Sequence, residues 1–407
     1  MIILNILWQA IKIILLLSVL VIMHEGAHFF VAKCFKMPVR EFGIGFGKKI
    51  WSKMHNGTLY TIRILPLGGF VDLDDDNRDG TFSKSPLYKK NLVLCAGVFV
   101  NLIFALILAF FILLAQGNFV SNNVINFSDV SNAAEAGIQV GDKIVQVEGK
   151  NINIKSQIDN IMVKNIGEDV AIVVDRNGQQ IDLTVKPYKK YYINTGFTIN
   201  AEQIVTASRN ENIKLGDKLV TINGITMNDS ESILNELSNY IDQNIQVEFL
   251  RNDELIKTDI KVIQTSRYYI GILFENVEDT LQNRVVYAFM GTTDFLYETL
   301  VGLIDLIAGN NKDAELIGIV GVSDIISKTD TVKDYFAIMA SVSLSLAIIN
   351  ILPLPLLDGG KIVIYTIERY RKKQFSDFVI NGLSFITLAL LIALTVYVTI
   401  NDVIRIF

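Results

Sequence analysis

Two histidines four residues apart enclose an acid in the run His24-Glu25-Gly26-Ala27-His28. On a helix, positions i and i+4 share a face, so two imidazoles at this spacing can grip one metal ion. The carboxylate between them then stands beside the metal's open position, where it can take a proton from water. The chain has three histidines, and two are in this run. Residues 6–31 around it are otherwise mostly apolar, with Lys12 the one further charge. Two His and one Glu in hydrocarbon are costly unless something pairs them, and a metal ion would. The third histidine, His55, falls in Met54-His55-Asn56-Gly57, the pattern of a turn between two strands. It is expected to be an ordinary exposed residue.

A zinc site with one open position takes three protein ligands. The third expected here is Asp358, in Asn350-Ile351-Leu352-Pro353-Leu354-Pro355-Leu356-Leu357-Asp358-Gly359-Gly360. It closes an otherwise uncharged stretch, residues 335–357. Pro353 and Pro355 are expected to bend that helix, and Gly359 and Gly360 permit close approach. Asn350 brings an amide into the apolar layer. It either holds a substrate backbone or an oxyanion, or bonds a neighbouring helix.

These residues need a membrane fold to position them. Half of the 407 residues are hydrophobic (51%), which puts a membrane protein ahead of a soluble one. The net charge of -5 is mild and gives no surface for nucleic acid. Residues 92–114, 335–357 and 378–400 carry no charge and are long enough to span a bilayer. Residues 6–31 make a fourth span, read as retained because it lacks a cationic start and a small-residue cleavage site. Residues 285–308 hold Asp294, Glu298 and Asp305, so an amphipathic helix fits better than a fifth span. Four crossings put the loops 33–90 and 365–377 on one side. Both are rich in cations, Lys48, Lys49, Lys89, Lys90, Arg369 and Lys372 among them, which marks that side as cytoplasmic. Residues 118–334 and both termini are then extracytoplasmic. Cys34 and Cys95 lie in or beside apolar stretches, and no disulfide is expected.

The polar middle repeats itself. Gly141-Asp142-Lys143-Ile144-Val145 recurs 75 positions later as Gly216-Asp217-Lys218-Leu219-Val220. A helical pattern and then alternating strands follow each copy, which signals tandem small domains. Both copies resemble PDZ domains, the first more fully through Ala133-Ala134-Glu135-Ala136-Gly137. Such domains can add a peptide strand to a sheet edge, or serve here as a spacer or size filter. Residues 58–65 and 69–73 look like hairpin strands, which either capture an unwound substrate by strand addition or fill space between helices. Gly43-Ile44-Gly45-Phe46-Gly47 lacks the strand-then-helix setting of a phosphate loop. Asp72, Asp74, Asp75, Asp76 and Asp79 read as a solvated loop rather than a cation site.

Taken together, the chain resembles the site-2 proteases, intramembrane zinc metalloproteases, and within them the regulator of sigma-E type. The resemblance is carried by the His-Glu-x-x-His run, the Asn-x-x-Pro-x-Pro-x-Leu-Asp-Gly run and the PDZ-like repeat. It extends to Leu67-Gly68-Gly69-Phe70-Val71 and to Gly97 and Asn101. Val98 and Ile319 stand where the family favours other residues, which touches local loop shape rather than the metal ligands. The resemblance implies a membrane core of residues 1–117 and 335–407. It implies two PDZ-like domains at 118–192 and 193–268, and an amphipathic helical connector at 269–334. It implies zinc on His24, His28 and Asp358, with Glu25 as general base. Asn350, Pro353, Pro355 and Gly69 would contact the substrate. That substrate would be a single-pass membrane protein, either an anti-sigma factor or a remnant signal peptide, cut in the bacterial cytoplasmic membrane. The rival readings are a PDZ-bearing scaffold or chaperone with a degenerate metal site, and a metal-ion transporter. A transporter would want polar residues along several spans, and the second and fourth spans are nearly all apolar.

Overall fold

The computed structural model describes residues 2–73, 80–164, 167–208, 210, 212–227, 229–309, 317–327, 329 and 331–406. Two compact units result. One combines the chain up to Gly117 with the chain from Leu281 onward, and the other is Asn118–Thr280.

The first unit opens with α1 (Ile2–Cys34), a helix of 33 residues. At about 1.5 Å per residue it reaches about 50 Å, well beyond a hydrocarbon core of about 30 Å. Next come β1 (Glu41–His55) and β2 (Thr58–Asp72). Asn56 and Gly57 join them with positive φ of 46° and 74°, as a tight hairpin turn demands. A strand leading into the Asn56-Gly57 turn was expected without bounds, and it reaches back to Glu41, while β2 runs through both segments that were expected separately. The register slips repeatedly, so 41–44 faces both 69–72 and 59–62. Gly43 lies inside this fold, where a side chain would strike the Phe70 ring. The helices α2 (Thr81–Lys84) and α3 (Leu87–Gln116) follow, and Gly117 ends α3 with φ 62°.

The second unit holds the repeat. Its first part contains β3 (Val120–Phe127), α4 (Asn132–Glu135), β4 (Lys143–Val147), β5 (Lys150–Asn151), α5 (Lys155–Lys164), β6 (Val170–Arg176) and β7 (Gln179–Val185). After β8 (Tyr188–Asn194), the second part contains β9 (Phe197–Ile199), β10 (Val205–Ser208), β11 (Lys218–Ile222), β12 (Ile225–Thr226), α6 (Ser230–Ser238), β13 (Asn244–Arg251) and β14 (Glu254–Lys261). The chain returns through β15 (Ile263–Tyr269) and β16 (Ile272–Asn276).

The same positions, 75 apart, fill both cores. Ile144, Val147, Ile172 and Val174 are buried in the first, and Leu219, Ile222, Val247 and Phe249 in the second. Burying each such side chain stabilises by about 1.5–3 kcal/mol. Ion pairs repeat too. Arg176 Nε donates to Asp142 and Arg251 Nε to Asp217, each at 2.7 Å. These arginines hold both carboxyls below the usual aspartate range.

The domains are nested rather than tandem. The strand order of the first sheet is β16-β3-β4-β6-β7, with β5 on β4, and that of the second is β12-β11-β13-β14. β8 pairs with β15 in a two-stranded antiparallel ribbon that leads into and out of the second part. The first block therefore does not close at residue 192. Its edge strand is 272–276, inside the stretch assigned to a helical connector, because β3 leaves an edge that β16 covers.

The first unit resumes with α7 (Leu281–Ala308), α8 (Ile319–Ser327), α9 (Val332–Ile351), α10 (Asp358–Arg371) and α11 (Asp377–Ile406). Among the described residues, four helices are long and apolar enough to cross a membrane: Trp8–Cys34, Leu87–Gln116, Val332–Ile351 and Asp377–Ile404. Large apolar side chains on α3 (Phe99, Ile103, Ile107, Phe111) and on α11 (Phe385, Ile386, Leu390) are exposed, as lipid-facing residues are. The helix α7 is not among the four; it packs along α3 with Gly291 against Leu113. The carboxylate of Asp402, on α11, accepts from the N–H groups of Gly318 (3.0 Å) and Gly321 (2.7 Å) and so caps α8.

The third span is shorter than expected. It stops at Ile351 rather than running to residue 357. Pro353 does not bend a continuing helix but ends it: the residue before a proline is pushed out of the helical region, and Leu352 is extended at φ -60°, ψ 145°. A new helix, α10, begins at Asp358.

Candidate metal centre

The helix α1 carries His24 and His28 one turn apart, both buried (8% and 4% exposed). Their Nε2 atoms are 3.1 Å apart. The third group arrives from the far end of the sequence. Asp358 Oδ2 lies 3.1 Å from His24 Nε2 and 3.3 Å from His28 Nε2. The break after α9 makes this possible. Gly359 and Gly360 press against the carbonyls of Ile351 and Leu354, where a Cβ would collide with backbone. Asp358 thereby sits in the first turn of α10, whose dipole favours a carboxylate.

The donor set fits zinc. A tetrahedral ion with ligands about 2.0–2.1 Å away holds neighbouring donor atoms about 3.3 Å apart, close to the triangle observed here. The chemistry agrees. His28 Nδ1 is 2.7 Å from the Val93 carbonyl oxygen, so it carries the hydrogen and donates. Nε2 then presents a lone pair toward Asp358 Oδ2, a buried oxygen with no hydrogen-bond donor. Lone pairs converging on one point call for a cation between them.

The helix α3 backs the site with a face of residues four apart. Val93 offers the carbonyl just described. Gly97 leaves room, since a Cβ there would lie 2.5 Å from His24 Cε1 and 2.6 Å from His28 Nε2. Asn101 is buried with Nδ2 3.4 Å from His24 Nδ1. Its Oδ1 has no hydrogen-bond partner, and the amide turned by half a rotation would offer that oxygen to an Nδ1–H on His24. Ser343 Oγ donates to the Asn101 carbonyl oxygen at 2.8 Å, tying α9 to α3.

Glu25 follows His24 and is half-buried. The end of β2 lies beside it. A Cβ on Gly69 would be 3.9 Å from Glu25 Cγ. The hairpin is fastened by Glu41, which accepts from Thr61 (2.7 Å), Arg63 (2.8 Å) and Lys49 (3.0 Å). Burial pushes the Glu41 carboxyl up, but these donors outweigh it and hold it at about 2.

The structure thus brings together His24, His28 and Asp358, with Glu25 and Gly69 alongside. Asn350 is half-buried in the last turn of α9, Pro353 is exposed and Pro355 half-buried in the connection to Asp358. His55 ends β1 and is exposed. Asp72 closes β2, while Asp74, Asp75, Asp76 and Asp79 lie outside the described residues. Sequence reasoning had no access to Val93, whose role rests on a backbone carbonyl that any residue type has. Glu41 and Arg63 gave no spacing signal, because the register slips of the hairpin bring them together.

Residues 12–394 match peptidase family M50. A protein named putative zinc metalloprotease from Vibrio cholerae is 27% identical over 89% of this chain and 91% of its own length. One named zinc metalloprotease RasP from Geobacillus kaustophilus is 26% identical over 98% of each chain. One named regulator of sigma E protease from Haemophilus influenzae is 25% identical over 98% of this chain and 99% of its own.

Proposed function

The chain belongs to peptidase family M50 and is a zinc metalloprotease; from that premise we propose that it hydrolyses a peptide bond within or beside the spanning helix of a single-pass membrane protein. The observation that carries this reading is the meeting of Asp358 with His24 and His28, at 3.1 and 3.3 Å, on a helix able to cross a bilayer.

In the proposed mechanism, His24, His28 and Asp358 would hold a zinc ion, which would supply Lewis acidity. Glu25 accepts a proton from the attacking water and returns it to the leaving nitrogen. Val93 and Asn101 keep the imidazoles aimed. Helical peptide bonds have engaged carbonyls and shielded faces, so the substrate helix must unwind first. In the described sheet 69–72 pairs on one side only, with 41–44, and Gly69 lies beside Glu25. An unwound segment can therefore add to that edge within reach of the base. Asn350, at the end of α9, and Pro353 and Pro355, in the connection that leads to Asp358, would hold it as well.

The substrate class we favour is an anti-sigma factor or a remnant signal peptide, in the bacterial cytoplasmic membrane. The cationic loops support an active site toward the cytoplasm with the two nested, PDZ-like blocks outside, where they would exclude bulky ectodomains. A scaffold with a degenerate site is disfavoured by the complete set of His24, Glu25, His28 and Asp358. The test is cleavage of a single-pass substrate by purified protein. Glu25→Gln should lower the rate by about 10²–10⁴-fold with zinc retained. Undiminished cleavage by that variant would overturn the mechanism.

A further inference from the structure

An open cavity of about 710 Å³ lies away from the metal centre, between the start of α3 and the end of α10. Its lining includes Lys84, Lys90, Arg369, Lys372 and Lys373, against one carboxylate, Glu368. Glu368 is already engaged, since its Oε1 accepts from the Phe375 N–H at 2.8 Å. The negative end of the α10 dipole accounts for cations on its own last turn. It does not account for Lys84 and Lys90, which come from α2 and α3. Lys90 is drawn over the Tyr365 ring at 4.2 Å and donates to the Ser83 carbonyl, which holds its charge at the cavity.

The first turn of α3 also lines the cavity, through Leu87 and Tyr88. The N-cap of α3 is Pro86, which gives no side-chain cap to the amides of that turn. A 30-residue helix therefore adds its positive end to the side-chain charge. The site calls for an anion with several acceptor oxygens.

Depth selects among such anions. The cavity sits where one candidate span begins, at Leu87, and just before another begins, at Asp377. Tyr88 on its wall is strongly exposed, as are Tyr370 and Phe378, close in sequence to the lining residues Arg369 and Gln374, in the manner of the aromatic belt at a membrane surface. A headgroup phosphate lies at that level, and basic pockets between helices on the cationic side take such headgroups. We propose that this cavity binds the phosphate of an anionic phospholipid.

The test uses full-length protein in detergent, with bound lipid counted by native mass spectrometry. The probes are phosphatidylglycerol, phosphatidylcholine and inorganic phosphate in separate arms. Phosphatidylglycerol should be retained over phosphatidylcholine by about tenfold or more. The triple variant Arg369→Gln, Lys372→Gln, Lys373→Gln should lose that preference, while its circular dichroism and zinc content stay those of the parent. A second variant, Lys84→Gln, should weaken the preference from the other wall. Equal retention of both lipids by the parent overturns the proposal, as does a preference that survives the triple substitution. Inorganic phosphate that binds without any lipid preference also overturns it, by showing a soluble anion site. Displacement of the lipid by an acidic peptide that binds more tightly overturns it in favour of a protein partner.

Discussion

Gly97 lies so close to His24 that a Cβ would stand 2.5 Å from the imidazole Cε1. A spanning helix with no side chain at this point lets α3 back the histidines directly. Gly97→Ala should push both rings off their aim while leaving α3 helical. Orienting contacts of this kind are typically worth about 10–100-fold in metal affinity or activity. Zinc content after dialysis against a chelator, read with the cleavage rate, checks this.

Asn101 faces the other nitrogen of His24, at 3.4 Å. Asn101→Ala should weaken zinc binding by about tenfold or more. Asn101→Asp, which keeps an acceptor at the same place, should restore most of it. Competitive titration with a zinc dye measures both. Equal affinities for parent and Asn101→Ala would remove the residue from the site's support.

Asp402 should matter for stability rather than chemistry. Its carboxylate is the acceptor for two backbone amides at the start of α8, and it is 1% exposed. Asp402→Ala leaves both donors without that acceptor, at about 1–3 kcal/mol each when they stay buried. Thermal melts in detergent should shift downward, with the zinc content of the folded fraction unchanged.

The repeated ion pairs set a pH limit on the second unit. Asp142 and Asp217 are held below the usual aspartate range, chiefly by Arg176 and Arg251. A depressed carboxyl contributes stability that is fully present above its unfolded value of about 3.9 and is lost as pH falls through the folded one. Amide exchange around β4 and β11 should therefore quicken only below about pH 4. Asp142→Asn should bring that quickening to neutral pH in the first block alone.

The three side chains that meet at the candidate metal centre were legible because their signals are local: an i, i+4 pair in an apolar helix, and one acid closing an apolar run. The place where α9 stops was not. Pro353 permits either a kink or an end, and the choice falls to Gly359 and Gly360, which fold α10 back onto the carbonyls of α9. The repeat was visible as a 75-residue offset, and the same offset relates Asp142 to Asp217 and Arg176 to Arg251. Its nesting was hidden. Strand pairing is non-local, and nothing in residues 272–276 names Val120 or Val124 as partners. The hairpin was half read, because β1 is rich in glycine and its register slips leave no clean alternation.

The nested sheets also bear on how the chain comes to be folded during synthesis. β3 emerges early, but its neighbour β16 follows only after the whole inserted block has been made. The block begun first is thus the last to be completed, and its open edge stays exposed while the inserted block can already collapse around Leu219 and Val247. Long-range closure of this kind is slow and leaves an unpaired strand open to wrong partners in the meantime. A nascent chain that has emerged as far as residue 262, with 272–276 still sequestered, would hold a finished inner block inside an unfinished outer one.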